Sequence, residues 1–503
     1  MRCFVGVDLG TSSLRVTALT EDGLRLGVTA RRYLIDHPHE GWAEQDPEVW
    51  WRAACEALHE LLGDEKLAGH DVVAVGLSGQ MHGLVLLDPA GQPVRPAIIW
   101  PDRRSTAQVA AWCARAGRSR LHATTGLPPV AGMFGPSLAW VAENEPPVLL
   151  RATAAVLPKD FIRLRLTEAV ATDPTDASGT MLFDVTARRW AEDLLDLAAA
   201  PRRLLPEVRP TQSVAGAVTR RASVATGLPV GTRVVVGGGD QSMSATTLGL
   251  ERPGRAAVAI SSGGTALVLL DKPVVVPDRG LHTLCHGPAT WLGMGAMLTA
   301  GLSLSWLVRS VLTPIGDPPG SLDPLIAEAG RVPAGADGLM FLPYLAGERT
   351  PHLDPDARGA FLGLSLSHDR HHLVRAILEG VAFGLKDCLG VVAETGVVPV
   401  EVIASGGGGR SPEWRQVLAD VLGLPVLVAS HDEHSVLGAA LTAARGVGVD
   451  LPPPTETGMA VDPQTRHRAL YEERYTLFRQ AYTATREVTH ALAGADTAGS
   501  MAD

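Results

Sequence analysis

Two aspartates stand where strands should end. Asp8 closes the run Cys3-Phe4-Val5-Gly6-Val7, and Asp240 closes Val234-Val235-Val236-Gly237-Gly238-Gly239. Each carboxylate falls where an apolar stretch breaks into a glycine- or threonine-rich loop, the position at which open α/β sheets hold ligands. A pair of acids delivered by two strand ends suits phosphoryl transfer: one holds Mg²⁺ beside a nucleotide, the other takes the proton of an acceptor hydroxyl. Taken singly, each has a plainer use, Asp240 as a helix N-cap and Asp8 as a turn carboxylate.

Other strand ends repeat the plan. Val72-Val73-Ala74-Val75-Gly76-Leu77 runs into Ser78-Gly79-Gln80-Met81-His82-Gly83, and Val402-Ile403-Ala404 into Ser405-Gly406-Gly407-Gly408-Gly409-Arg410. A glycine loop lets backbone approach a flat or anionic ligand, and the helix predicted from Pro412 through Leu422 offers N-terminal amides to phosphate. A glycine run alone is more often a turn, and His82 alone more often a packed histidine. The combination carries the functional reading.

The elements that must position these groups form a pattern of halves. Strand, polar turn and strand over Val5 to Leu19 open a β-meander, and Ala256 to Leu270, with Ser261-Ser262-Gly263-Gly264-Thr265 at its turn, repeats it half a chain later. Asp46-Pro47-Glu48 starts an amphipathic helix bearing Trp51, Ala54, Ala57, Leu58, Leu61 and Leu62. A break near Leu248 to Gly254 divides the chain into residues 1–248 and 249–490. Pro-rich connections follow at 314–320 and 452–454, and the small, polar segment 491–503 reads as a disordered tail.

At 503 residues the chain exceeds one compact core, so two domains with a cleft between them are expected. A net charge of -10 gives no electrostatic reason for nucleic acid or an anionic membrane as partner. The five cysteines are scattered without a C-x-x-C pair and read as reduced, packed thiols. No leader pattern opens the sequence and no apolar run suffices for a bilayer, so a cytoplasmic location is expected. His371-His372 and His368 lack carboxylates at ligand spacing. Trp50-Trp51 reads as packing, Lys159-Asp160 as an ion pair, and Thr175-Asp176 with Ser178-Gly179-Thr180 as structure or pocket rim.

Taken together the chain resembles the FGGY carbohydrate kinases, and among them the xylulokinases, from Asp8 to about Ala444. The family signature is matched at Gly359-Ala360-Phe361-Leu362-Gly363-Leu364, His372-Leu373 and Ala376-Ile377-Leu378-Glu379-Gly380. Further similar stretches are Gly41-Trp42-Ala43-Glu44-Gln45-Asp46-Pro47, Gln80-Met81-His82-Gly83, Leu157-Pro158-Lys159-Asp160 and Phe341 through His352.

The resemblance implies an α/β fold of two actin-like (ribonuclease-H-like) domains with ATP and a ketose in the catalytic cleft. The implied activity is ATP-dependent phosphorylation of a ketopentose, D-xylulose to D-xylulose 5-phosphate. Asp240 would be the general base and Asp8 would hold Mg²⁺. Gln80, Met81, His82, Trp100, Asp102 and Gln241 would line the sugar pocket. Thr11, Ser12, Ser13, Gly263, Gly264, Thr265, Gly407, Gly408 and Gly409 would serve the nucleotide. Its partners would be a small sugar and MgATP, with a homodimer left open.

Departures from the family pattern are the displaced Thr265, Pro101 where asparagine is common, Ser137 for a lysine, and Gln241 for an asparagine. They leave two alternatives: a kinase of another ketose or polyol, such as ribulose or glycerol, and a sugar or nucleotide sensor without catalysis.

Overall fold

The computed structural model describes residues 1–251, 254–313, 321–453 and 460–499. Arg252 and Pro253 at the expected boundary, the connection 314–320, Pro454, and residues 500–503 of the expected tail lie outside the described residues.

Two sheets are built to one plan. In the first, β1 (Arg2–Leu9), β2 (Ser13–Thr20) and β3 (Arg25–Arg32) form the antiparallel meander, β4 (Asp71–Gly79) lies parallel to β1, and β5 (Val214–Ala217) and β6 (Arg233–Val235) complete the order β5-β6-β4-β1-β2-β3. A short β7 (Gly238–Gly239) continues along the far end of β4. In the second, β8 (Arg255–Ile260), β9 (Gly264–Leu270) and β11 (Trp291–Met297) form the meander, with β10 (His282–Cys285) at the edge. There β12 (Glu401–Ser405) runs parallel to β8 and β13 (Val426–Val428) parallel to β12. A meander followed by parallel strands on its first member thus occurs twice, as the repeat in the sequence predicts.

The central strands β1 and β4 are largely apolar along their buried length because helices pack against them. The helix Pro47–Leu62 begins where expected, with the Asp46 carboxylate accepting from the Glu48 amide, and buries Trp50, Ala54, Ala57, Leu58 and Leu61. Helix Pro412–Leu422 matches its predicted limits and is capped by Ser411.

Chain order and spatial order part company near the end. Helix His434–Gly446, which follows the second sheet, packs on β1 and β4 of the first. Its backbone lies against theirs: a Cβ added to Gly6 would meet the Val436 carbonyl at 2.1 Å, and one added to Gly76 the Ala439 carbonyl at 1.9 Å. Only glycine permits that approach.

The tail expectation needs correction. Helix Arg468–Gly499 carries the chain through residues 491–499, an alanine-rich stretch in which Ala493 is buried. Alanine's high helix propensity favours continuing a helix that is already anchored, by Tyr471 and Phe478, on the second lobe. Among the described residues no helix is long and apolar enough to cross a membrane.

Candidate active site

Strand register brings the two aspartates together. Asp8 of β1 pairs with Ser78 of β4, and Gly238 of β7 pairs with the same Ser78 from the other side. Asp8 and the residues leading into Asp240 therefore flank one strand at one end of one sheet, roughly two strand spacings or 10 Å apart. The charge of Asp8 reaches Asp240: burial, then Asp8, pushes the Asp240 carboxyl up to about 7. Burial also raises the pKa of Asp8, partly offset by the hydroxyls of Ser78 and then Ser435.

Asp240 does not cap its helix. The N-cap of Asp240–Thr247 is Gly239, which has no side chain to bond the first-turn amides. The carboxylate of Asp240 is favoured by hydrogen bonding from Gln241 beside it, and it remains partly exposed. Asp8 is 4 % exposed; its Oδ2 accepts from Ser435 Oγ at 2.9 Å, while Oδ1 has no protein partner.

A buried polar chain holds the backbone ahead of Asp240. Thr175 Oγ1 accepts from the Gly239 amide at 2.9 Å and donates to Asp173 Oδ2 at 2.6 Å. Lys159 Nζ lies 3.1 Å from Asp173 Oδ1 and 2.6 Å from Asp160, which also pairs with Arg163. All four charged side chains are inaccessible, so the expected ion pair is part of a buried network. Such a network holds its shape because each group left alone would be costly.

On the sugar side, Met81 is buried against Gly239, where an added Cβ would lie 2.9 Å from Sδ. His82 takes the left-handed conformation, φ 73°, and its Nδ1 bonds the Gly179 carbonyl at 2.6 Å. A carbonyl only accepts, so Nδ1 carries the proton and Nε2 is left as an acceptor. Burial holds this imidazole neutral, with its pKa lowered to about 4. Gly179 sits beside both Met81 and His82, which makes the Ser178-Gly179-Thr180 turn a rim of this pocket. Trp100 is 38 % exposed and donates from Nε1 to Thr11 Oγ1 at 2.9 Å. Gln241 follows Asp240 in the first helical turn and is partly exposed.

Two expected sugar residues are otherwise engaged. Asp102 is 1 % exposed; its oxygens accept from the Ala43 amide at 2.7 Å and from Arg104, whose guanidinium stacks on Trp42. It braces the loop and offers a sugar no free oxygen, because a compensating arginine stands two residues on. Gln80 is 2 % exposed and bonds Gln45, which in turn bonds the Thr11 carbonyl and accepts from Trp50. It lies beneath the pocket.

On the nucleotide side, Thr11, Ser12 and Ser13 form the β1–β2 turn, closed by Gly10 N to Ser13 O at 3.0 Å. The matching turn of the second sheet is Ser261-Ser262-Gly263, with Gly264 already paired to Ile260. Thr265 lies within β9, paired to Ala259 and Ala296, and is not at the turn; the exposed hydroxyls there are Ser261 and Ser262. The loop expected at Gly406 is a short helical turn, Gly406–Arg410. Gly407 and Gly408 line a hollow of about 710 Å³ with Ser261, Ser262, Leu302 and Ser411, whereas Gly409 packs on Ala404. His371 and His372 face Asp369, and His372 also Asp337, at a capped helix start. No cluster of three metal-binding side chains occurs among the described residues.

Sequence reasoning missed Ser435, the Thr175 link and the turn hydroxyls of Ser261 and Ser262. Thr175 carried a signal in Thr172-Asp173-Pro174-Thr175-Asp176; Ser435, 427 residues from its partner, carried none.

Comparison with known proteins places this geometry in context. Residues 3–247 match the N-terminal domain, and residues 258–447 the C-terminal domain, of the FGGY family of carbohydrate kinases. Xylulose kinase of Escherichia coli (strain K12) is 35% identical over 486 residues, covering 95% of this chain and 98% of that protein. The crystal structure of xylulose kinase from Rhodospirillum rubrum superposes with a TM-score of 0.91 at 33% identity, covering 97% and 100% of the two chains. A gluconokinase of Bacillus subtilis (strain 168) is 28% identical, covering 88% and 87%. The two repeated sheets are those of the actin-like, ribonuclease-H-like fold.

Proposed function

The chain belongs to the FGGY family of carbohydrate kinases, and from that premise we propose that it moves the γ-phosphoryl group of MgATP to the terminal hydroxyl of a ketopentose, turning D-xylulose into D-xylulose 5-phosphate. Residues 1–248 carry the sugar pocket and base, and residues 249–490 most of the nucleotide hollow. The observation that carries the reading is the flanking of Ser78 by Asp8 and the Asp240 loop. The similarity to xylulose kinases over almost the whole chain supports the choice of sugar.

Asp240 acts as general base. A sugar hydroxyl is a weak acid whose proton leaves only as the O–P bond forms, so the base needs position more than strength. A carboxyl near pH 7 is stronger than an ordinary one and still half ionised at neutrality. Thr175 and Asp173 fix the approach of Gly239 and hence the aim of Asp240.

Asp8 serves the metal of MgATP. Its buried Oδ1 has no protein partner, and one carboxylate together with phosphate oxygens and water is a donor set that suits Mg²⁺. Bound there, the ion would neutralise charge on the phosphates. The amides at the start of helix His434–Gly446, beside Asp8, and the hydroxyls of Thr11, Ser12, Ser13, Ser261 and Ser262 supply donors to phosphate oxygens.

Incubation with MgATP and a panel of D-xylulose, D-ribulose, glycerol and D-gluconate, read by mass spectrometry, tests the assignment. D-Xylulose 5-phosphate should dominate, and Asp240→Ala should retain binding of both substrates while losing roughly two or more orders of magnitude in kcat. Binding without any phosphorylated product would favour a sensor. A dominant phosphogluconate or glycerol phosphate would overturn the choice of sugar and leave the chemistry standing.

A further inference from the structure

Arg349 lies in the loop between Glu348 and Thr350, on the second lobe. Among the described residues its guanidinium has no hydrogen-bond or ion-pair partner and lies beside the ring of Trp100. Burial draws its pKa down, with Glu348 opposing. The side chain is nevertheless partly exposed, so its N–H groups are open to an acceptor that is not part of the protein.

Its position is fixed from both sides. Glu348 Oε1 accepts from the Leu298 amide at 3.0 Å and from the Arg349 amide at 2.7 Å. Thr350 exchanges two hydrogen bonds of 3.0 Å with Ala296 and donates to the Gly280 carbonyl at 2.9 Å. The second lobe thus grips the loop before and after Arg349, and the side chain between crosses to the first lobe. There Cζ stands 6.0 Å from the ring of Trp100. Trp100 in turn donates to Thr11 of the phosphate turn.

Arg349 also lies near the sugar-side histidine: its charge disfavours protonation of His82 and of His282.

We propose that Arg349 is a specificity-determining residue, carried by the second lobe, whose free N–H groups bind acceptor oxygens of the sugar beside the Trp100 ring. The inference rests on the sugar-kinase reading and deepens it. A planar fork of donors fits two adjacent acceptors, such as a ketose carbonyl with its neighbouring hydroxyl or the carboxylate of an aldonate. Because the donor and the base belong to different lobes, the sugar ties the lobes together, and sugar affinity depends on their approach.

The test uses the full chain with Arg349→Gln and Arg349→Lys. Sugar affinity without nucleotide is read by calorimetry, and KM for D-xylulose, D-gluconate and MgATP by steady-state rates. In Arg349→Gln the Kd and KM for the sugar should rise about tenfold to a hundredfold, the expected loss of hydrogen bonds from a charged donor. KM for MgATP and the pH midpoint of kcat should stay in place, and Arg349→Lys should fall between. A greater loss for D-gluconate than for D-xylulose would mark the acceptor as a carboxylate, and the reverse a ketose end.

Sugar affinity within twofold of wild type in Arg349→Gln, or a loss confined to MgATP, overturns the proposal. Should Arg349→Gln not fold, an unchanged sugar KM in folded Arg349→Lys overturns the forked contact. If the wild-type protein phosphorylates no sugar, the functional reading falls, while the calorimetric comparison still decides the role of Arg349.

Discussion

Ser435 donates a hydrogen bond of 2.9 Å to Oδ2 of Asp8 across 427 residues of sequence. The serine lies in the first turn of helix His434–Gly446, so the helix that follows the second sheet delivers both a hydroxyl and its positive end to the first strand of the chain. Both favour the ionised carboxylate, against burial, which disfavours it. Ser435→Ala should raise the Asp8 pKa further and weaken MgATP binding, with KM for MgATP up severalfold and KM for sugar little changed. Steady-state rates at varied MgATP check this. An equal loss for both substrates would assign Ser435 a structural role only.

The Asp240 carboxyl, held near 7, predicts a pH dependence. The base is competent when ionised, so kcat/KM should rise through an acid limb near pH 7 and fall away below it. Asp8→Asn removes the neighbouring negative charge. At roughly 10 Å and an effective dielectric of about 20 this lowers the Asp240 value by up to about one unit. Burial is the larger cause and remains, so the carboxyl should stay above its ordinary range. Carbon-13 titration of Asp240 in nucleotide-free wild type and Asp8→Asn measures both values; an unshifted titration would separate the two carboxylates.

Thr175 offers a positioning test one step removed from chemistry. Thr175→Val keeps shape and deletes the hydroxyl between the Gly239 amide and Asp173, leaving both buried groups short of a partner. The expected cost is about 1–3 kcal/mol of stability. A drop in kcat of about tenfold should accompany it, with sugar KM nearly unchanged, because the aim of Asp240 and not the pocket is altered. Thr175→Ser should restore both. Unaltered kcat in a destabilised Thr175→Val would reduce the link to a stability role.

Local signals were sufficient for much of this site, and distance explains what they missed. Asp8, Asp240, Met81 and His82 lie at or just beyond strand ends marked by apolar runs that break into small residues, and the helices at Pro47 and Pro412 announce themselves by their caps. Asp102 was misread because a motif shows a carboxylate and not its partner; Arg104, two residues on, takes the charge inward. Thr265 was placed at a turn by composition, whereas pairing with Ala259 and Ala296 sets the register. Ser435 and Arg349 reach the first lobe from beyond residue 340, and periodicity along the chain cannot reveal such contacts. The tail was misjudged for another reason: an alanine-rich segment is weakly helical alone but extends an anchored helix.

Gly76 sits where helix and sheet backbones approach too closely for any side chain. Helix His434–Gly446 lies so near β4 that a methyl at Gly76 would sit 1.9 Å from the Ala439 carbonyl oxygen, far inside any real contact. Gly76→Ala must push the helix off the sheet or bend the strand, and neither gives easily in a close-packed interior. We expect a loss of about 3 kcal/mol or more, read as a lower denaturation midpoint. The helix carries Ser435 at its start and packs Gly438 against the Met243 carbonyl of the Asp240 helix. Moving it should therefore also raise KM for MgATP. Gly423→Ala is the control: it meets nothing within 4 Å, but its φ of 69° carries backbone strain. It should cost only about 1 kcal/mol and leave KM for MgATP unchanged. Equal stability losses in the two variants would show that helix and sheet yield to one another, and that the approach of their backbones is not what fixes the position of Ser435.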